Sequence, residues 1–108
     1  MARQDALQGS LPLLILKTLA RLGPLHGYGI TARIESMSDV LRVEEGSLYP
    51  ALHRMEEAGW IKAKWVTTEN KRRARLYEIT TAGRKRLGEQ EARWRAVTSA
   101  VGHILQRA

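Results

Sequence analysis

The chain has 108 residues, no cysteine, and 18 lysines and arginines against 11 aspartates and glutamates, a formal charge of +7. A domain of this length buries only roughly 60–70% of its unfolded surface, which argues against a large enzyme cleft and for a small module that completes its core by self-association. The missing cysteine excludes a disulfide scaffold, a zinc ribbon and a thiol nucleophile, and a hydrophobic share of 44% argues against disorder.

The longest apolar stretch, Leu11–Leu16, is six residues and far too short to span a bilayer. The start lacks the basic segment and small-residue cleavage pattern of a signal peptide. A cytoplasmic protein, nucleoid-associated through its ligand, is the expectation. The charge is concentrated: residues 61–86 carry 9 basic and 2 acidic side chains, while residues 1–60 carry 6 and 7. A basic segment of this kind is the electrostatic footprint of a polyanion binder.

Ser10 reads as an N-cap, with Pro12 in the first helical turn. Leu11, Leu14, Ile15, Thr18, Leu19 and Leu22 then form one apolar face, and Gly23-Pro24 ends the helix. A second helix is predicted from near Gly27 to Met37, with Ile30, Ile34 and Met37 inward. A third runs from about Ser47 to Ala58. Glu44 and Glu45 favour its N-terminus through the macrodipole, Pro50 falls in its first turn, Leu48, Leu52 and Met55 face inward, and Gly59 follows as C′. The period then changes. Ile61, Ala63 and Trp65 alternate with Lys62, Lys64 and Val66 as a strand, Thr68–Arg73 forms a polar loop, and Leu76–Thr80 returns with Tyr77 and Ile79 on one face. Trp60 and Trp65 are expected to pack in the core and under the hairpin. Thr80 or Thr81 caps a last helix ending near Gln106, on which Leu87, Trp94, Val97, Val101 and Ile104 form an a/d seam with Gln90 as its polar member. Such a seam at the end of a small domain needs a partner.

Three helices, a two-stranded hairpin and a helix give a mainly α fold with a β-wing. This is a winged helix-turn-helix over residues 1–81 with a long C-terminal dimerisation helix over 82–108. Its third helix can fill a DNA major groove, and the basic hairpin would lie against flanking phosphates or the adjacent minor groove.

The runs Leu25-His26-Gly27-Tyr28-Gly29-Ile30, Glu45-Gly46-Ser47-Leu48-Tyr49-Pro50-Ala51-Leu52 and Leu76-Tyr77-Glu78-Ile79-Thr80-Thr81-Ala82-Gly83-Arg84 together resemble the PadR family of bacterial transcriptional regulators, over about residues 8–95. With one helix beyond the wing, the chain resembles the short branch of that family. Val43–Trp60 is similar to a subgroup described from acidobacterial genomes. The resemblance implies a homodimeric repressor on a palindromic operator, dimerised through the last helix, in some members responding to a small molecule. In a short-branch relative, a tryptophan on the last helix stacks flat aromatic compounds in a cavity between subunits. Trp94 sits at a comparable place.

The expected DNA-contacting residues are Ser47, Tyr49, Pro50, His53 and Arg54 on the third helix, and Lys71, Arg72, Arg73 and Arg75 on the wing. The competing role for Tyr49 is packing beneath the wing, and for the wing cations a solvated loop. For Lys62 and Lys64 the competing reading is that they face away from the duplex. The expected dimer interface is Leu87, Trp94, Val97, Val101, Ile104 and Leu105. Trp94 is either core of that interface or an effector platform. His26, His53 and His103 share no i, i+3 or i+4 spacing, so no metal or other cofactor is expected, and Ser47 and His53 stand on different helix faces, which rules out a nucleophile pair. The rival to a DNA-binding repressor is a winged-helix protein-interaction module whose wing meets an acidic partner.

Overall fold

A computed structural model describes the backbone of residues 2–107 and the side chains of residues 10–44 and 46–107. The elements in chain order are α1 (Ala2–Leu22), β1 (Leu25–His26), α2 (Gly27–Met37), α3 (Glu45–Glu57), β2 (Ile61–Thr67), β3 (Arg73–Ile79) and α4 (Thr81–Arg107). The three strands form one antiparallel sheet in the order β1-β3-β2.

The helices bury the faces that their spacing predicts. Leu11, Ile15 and Leu19 of α1, Ile30 and Ile34 of α2, and Leu48, Leu52 and Met55 of α3 meet in one core, closed by Ile61, Tyr77 and Ile79 from the sheet. Leu16 joins them from outside the predicted stripe. Met37 and Leu22, expected inward, lie exposed at the ends of their helices. Helix α1 begins at Ala2, not at Ser10. The run from Ala2 to Gln8 is rich in strong helix formers, and neither Gly9 nor Pro12 stops it.

Helix ends follow local chemistry. At the end of α1, Gly23 takes φ 82° and its N–H donates to the Leu19 carbonyl at 3.0 Å. The turn from α2 to α3 is fixed by Glu35, whose carboxylate accepts from the Val43 N–H at 2.8 Å. Helix α3 starts earlier than Ser47: the Glu44 carbonyl accepts from Ser47 N at 2.9 Å and Leu48 N at 3.0 Å, with Glu44 as N-cap. Pro50 therefore lies in the second turn. It has no N–H to donate to the carbonyl four residues earlier, that of Gly46. The far end of α3 is a Schellman closure: Trp60 N donates to the Met55 carbonyl and Gly59 N to the Glu56 carbonyl, both at 3.0 Å, with Gly59 at φ 82°.

The hairpin is longer than the sequence pattern predicts, because β3 starts at Arg73 instead of Leu76. Ile61 pairs Ile79, Ala63 pairs Tyr77, Trp65 pairs Arg75 and Thr67 pairs Arg73 on one face. Lys62–Glu78, Lys64–Leu76 and Val66–Ala74 alternate onto the other. The Thr68 N–H donates to the Arg72 carbonyl at 2.8 Å, and the Lys71 N–H to the Thr68 carbonyl at 2.9 Å. With Lys71 at φ 60°, this is a three-residue loop, a turn followed by one left-handed residue. The two-residue strand β1, paired Leu25 to Tyr77 and His26 to Leu76, carries no sequence signal of its own and was not anticipated.

Helix α4 is capped by Thr80, whose Oγ1 accepts from the Gly83 N–H at 3.0 Å and donates to the Gly59 carbonyl at 2.6 Å. Its first turns belong to the core through buried Gly83 and Leu87. Leu87, expected at a dimer interface, is only 7% exposed within its own chain. Lys17 of α1 pairs with Glu91 at 3.1 Å, and Arg95 with the same carboxylate at 3.4 Å. Beyond Glu91 the helix runs past the core, which makes the molecule 57 × 28 × 22 Å.

Candidate nucleic-acid interface

Helix α3 has two faces of opposite character. Leu48, Ala51, Leu52 and Met55 are buried, while Gly46, Tyr49, Pro50, His53, Arg54 and Glu57 are exposed. The exposed residues recur at spacings of three and four and form one stripe along the helix. At 13 residues the helix is about 20 Å long and, with side chains, about 10–12 Å across, which matches a B-form major groove about 12 Å wide. Ser47 is half-buried at the edge of this stripe.

Tyr49 is placed by contact with Gly27. A Cβ on Gly27 would stand 2.9 Å from the Tyr49 hydroxyl and 3.2 Å from its Cε1. The ring thus lies over the start of α2 with half its surface exposed. Nε2 of His53 stands 3.8 Å from the Glu57 carboxylate, both side chains being well exposed. Arg54 is exposed on the same helix.

The hairpin supplies the second element. Lys71, Arg72 and Arg73 are exposed at its tip. Lys62 and Lys64 lie on the opposite sheet face from Trp65 and Arg75, and Lys62 stands 3.9 Å from Glu78. Trp65 does not pack in the core: it is 56% exposed. The alternation that puts Ile61 and Ala63 over the helices continues to Trp65, but the hairpin has by then run past the helical layer. Its ring is covered instead by the guanidinium of Arg73, 4.8 Å from the ring centre, and by that of Arg75, at 5.5 Å. Trp60 is partly buried against the core, as expected, with Arg86 4.7 Å over its ring.

Arg75 departs from its expected place among the free wing cations. Its Nη2 donates to the Glu56 carboxylate of α3 at 2.9 Å, and its Nε is buried. Neither Glu56 nor His26 was anticipated as a contributor. Each acts across a sequence distance that no local spacing reports. Burial pushes the Tyr77 phenol above its ordinary value of 10.0 against the lowering effect of the Arg75 charge, with Glu56 and Tyr49 adding to the rise.

On α4, Trp94, Val97, Val101, Ile104 and Leu105 are between 46% and 77% exposed, an apolar row that the described residues leave uncovered. An open groove of about 340 Å³ lies between α1 and α2, walled by Leu14, Thr18, Ile34 and Met37, with Lys17, Arg21 and Arg33 at its edges. Among the described residues, no three His, Asp or Glu side chains are grouped as metal ligands, and no helix is long and apolar enough to cross a membrane.

The chain is 45% identical over 80 residues to an uncharacterised 37.1 kDa protein in transposon TN4556 of Streptomyces fradiae, covering 74% of this chain but only 21% of that protein, so the chain spans about a fifth of its length. Among solved structures it is similar to a transcriptional regulator from Clostridium thermocellum (TM-score 0.82, 30% identity, 92% of this chain and 96% of the other). It is also similar to Bacillus subtilis PadR in complex with operator DNA (TM-score 0.66, 27% identity, 74% of this chain and 45% of that one). The model of the transcriptional regulator PadR-like family matches residues 15–89, which hold α2, α3, the whole sheet and the start of α4. The chain belongs to the PadR-like family of transcriptional regulators, a family of winged-helix regulators and not of enzymes.

Proposed function

We propose that the protein is a homodimeric repressor that binds a palindromic operator. The observation that carries this reading is the exposed stripe Tyr49, Pro50, His53 and Arg54 on α3 beside a hairpin whose tip bears Lys71, Arg72 and Arg73. The stripe enters the major groove, with Ser47 at its edge, and the tip meets phosphates or the neighbouring minor groove. The operator complex of the B. subtilis relative supports the same use of the fold. Repression needs nothing beyond occupancy of the operator.

The dimer forms through residues 82–108. The apolar row from Trp94 to Leu105 is the surface that a second α4 covers, and α1 of the other subunit packs beside it. Two-fold symmetry then places the recognition helices roughly 34–36 Å apart, one turn of DNA. Trp94 is the platform for a flat apolar effector between the subunits. Lys17 at the edge of the α1–α2 groove also holds Glu91, one turn before Trp94.

The test is selection of duplexes from a random library by the purified protein, followed by fluorescence-anisotropy titration of the enriched duplex and a scrambled control at several salt concentrations. A preference of about 10³-fold or more is expected, with a steep salt slope. Equal, weak binding to both duplexes overturns the reading and favours an acidic protein partner for the wing.

A further inference from the structure

Arg75 lies in the basic run of the wing, but its surroundings differ from those of Lys71, Arg72 and Arg73. Its side chain is 36% exposed and that of Glu56 is 24% exposed, and the two meet at 2.9 Å. The guanidinium carbon stands 5.5 Å from the ring centre of Trp65 and 5.9 Å from that of Tyr77. The same residue is held from its main chain: Nδ1–H of His26 donates to the Arg75 carbonyl at 3.0 Å. His26 is the N-cap residue of α2, and Glu56 lies in the last turn of α3. One residue of β3 is therefore tied to both helices of the helix-turn-helix, by its backbone to the first and by its charge to the second.

We infer that Arg75 and Glu56 are positioning residues that set the angle of the wing against the recognition helix, and that Arg75 does not itself contact phosphate. This rests on the DNA-binding reading above. The physical argument is geometric. A hairpin projecting beyond the helical layer has no core to hold its outer half, and Ala63–Tyr77 is the last pair over the helices. Arg75 stands one pair further out, opposite Trp65. A part-buried, charge-assisted hydrogen bond at that point restrains the lever just where packing ends. A planar guanidinium near both rings also fixes the direction of the bond, which a lysine ammonium would not do. Operator choice depends on helix and wing docking in register. A loosened wing would still reach phosphates on any duplex but would cost the preferred sequence its advantage.

The two roles for Arg75 separate by experiment. Glu56→Gln, Arg75→Gln, Arg75→Lys and the double Gln variant are compared with wild type on the selected and scrambled duplexes across salt, with Arg72→Ala as the phosphate-contact control and thermal melts to verify folding. Glu56→Gln is nearly isosteric and keeps α3 intact if Arg75→Gln proves unstable. The expected result is a tenfold or greater loss of preference in each Gln variant, no further loss in the double, a smaller loss in Arg75→Lys, and salt slopes equal to wild type. Arg72→Ala should instead weaken both duplexes alike and reduce the slope by about 0.9. A slope reduced by about 0.9 in Arg75→Gln, with Glu56→Gln unchanged or tighter, makes Arg75 a phosphate contact and overturns the proposal. A wild type that prefers no duplex overturns the DNA reading itself, and the proposal with it. A wild type that discriminates, alongside a Glu56→Gln that discriminates equally well, overturns the proposal alone.

Discussion

Gly83 of α4 stands directly against the main-chain carbonyl of Trp60. A Cβ at this position would overlap that oxygen and lie 2.8 Å from Cγ1 of Ile79. The obstacle is backbone, fixed by the hydrogen bond from Thr80 N to the same Trp60 carbonyl at 3.0 Å, so it cannot yield as a flexible side chain would. Gly83→Ala should therefore destabilise the fold by about 1–3 kcal/mol or more, in spite of the roughly 1 kcal/mol that alanine gains over glycine in a helix. Gly88, five residues on with nothing near its Cβ position, is the control. Gly88→Ala should raise Tm, and thermal melts of the two variants should move in opposite directions.

Gly27 and Tyr49 make a different case, because the obstacle there is the far end of a side chain. Gly27→Ala meets the Tyr49 hydroxyl at 2.9 Å, and Tyr49 is half exposed with room to swing outward. The expected outcome is a Tm shift of only a few degrees with a clear loss of operator preference, since the ring on the exposed stripe of α3 is moved. Tyr49→Phe keeps the ring and loses only the hydroxyl. Titration of both variants on the selected duplex separates placement of the ring from donation by its O–H.

Much of this architecture could be read from the sequence, and the failures have physical causes. Leu48, Leu52 and Met55 at helical spacing and the alternation from Ile61 to Ala63 located α3 and the hairpin, because one-sided burial imposes a period. Trp65 was misplaced because that period continues past the edge of the core, so alternation gives the face but not the burial. A run of charge carries no record of its partners, so the pairing of Arg75 with Glu56, 19 residues away, is not legible in the wing's sequence. His26 was invisible for the same reason, at a separation of 49 residues. The start of α1 was placed late because Ser10 is a good cap by type, yet helix-forming residues precede it. Leu87 fits the seam by spacing alone, but the helix enters the core before it leaves it.

Lys71 joins a strained backbone to a charge at the tip of the hairpin. It holds φ 60°, a left-handed conformation that costs an ordinary residue roughly 1–2 kcal/mol and glycine almost nothing. Lys71→Gly should leave Tm equal or higher while lowering the salt slope of DNA binding by about 0.9. Lys71→Ala should lower the slope equally without the gain in Tm. A Lys71→Gly variant with an unchanged slope would remove this cation from the phosphate contacts.

The raised Tyr77 ionisation has a defined pH consequence. Its phenol is neutral in the fold to a higher pH than the ordinary 10.0. Folded and unfolded states therefore hold the same proton at neutral pH, and this group gives stability no pH dependence there. As pH rises past 10.0 the unfolded chain loses the proton first, so stability falls. Tyr77→Phe should remove that part of the alkaline loss, measurable as a smaller drop in denaturant midpoint between pH 9 and pH 11, pH values set roughly one unit either side of the ordinary value.

The exposed row on α4 gives a prediction about assembly. Val101 and Ile104 lie on it, 46% and 63% exposed, beyond the point where α4 leaves its own core. A carboxylate introduced there changes nothing inside the protomer but has to be desolvated when two such helices pack. On the proposed dimer, Ile104→Glu should give a monomer in analytical ultracentrifugation while leaving the helical circular dichroism of the winged domain in place. The monomer holds only one recognition helix, so it should bind a half-site as the wild-type protomer does and lose the gain that comes from linking two half-sites on one duplex, a factor of about 10²–10⁴. An Ile104→Glu protein that sediments as a dimer would place the interface elsewhere on the chain. One that is monomeric and still binds the full operator with wild-type affinity would show that dimerisation is not what joins the two half-sites.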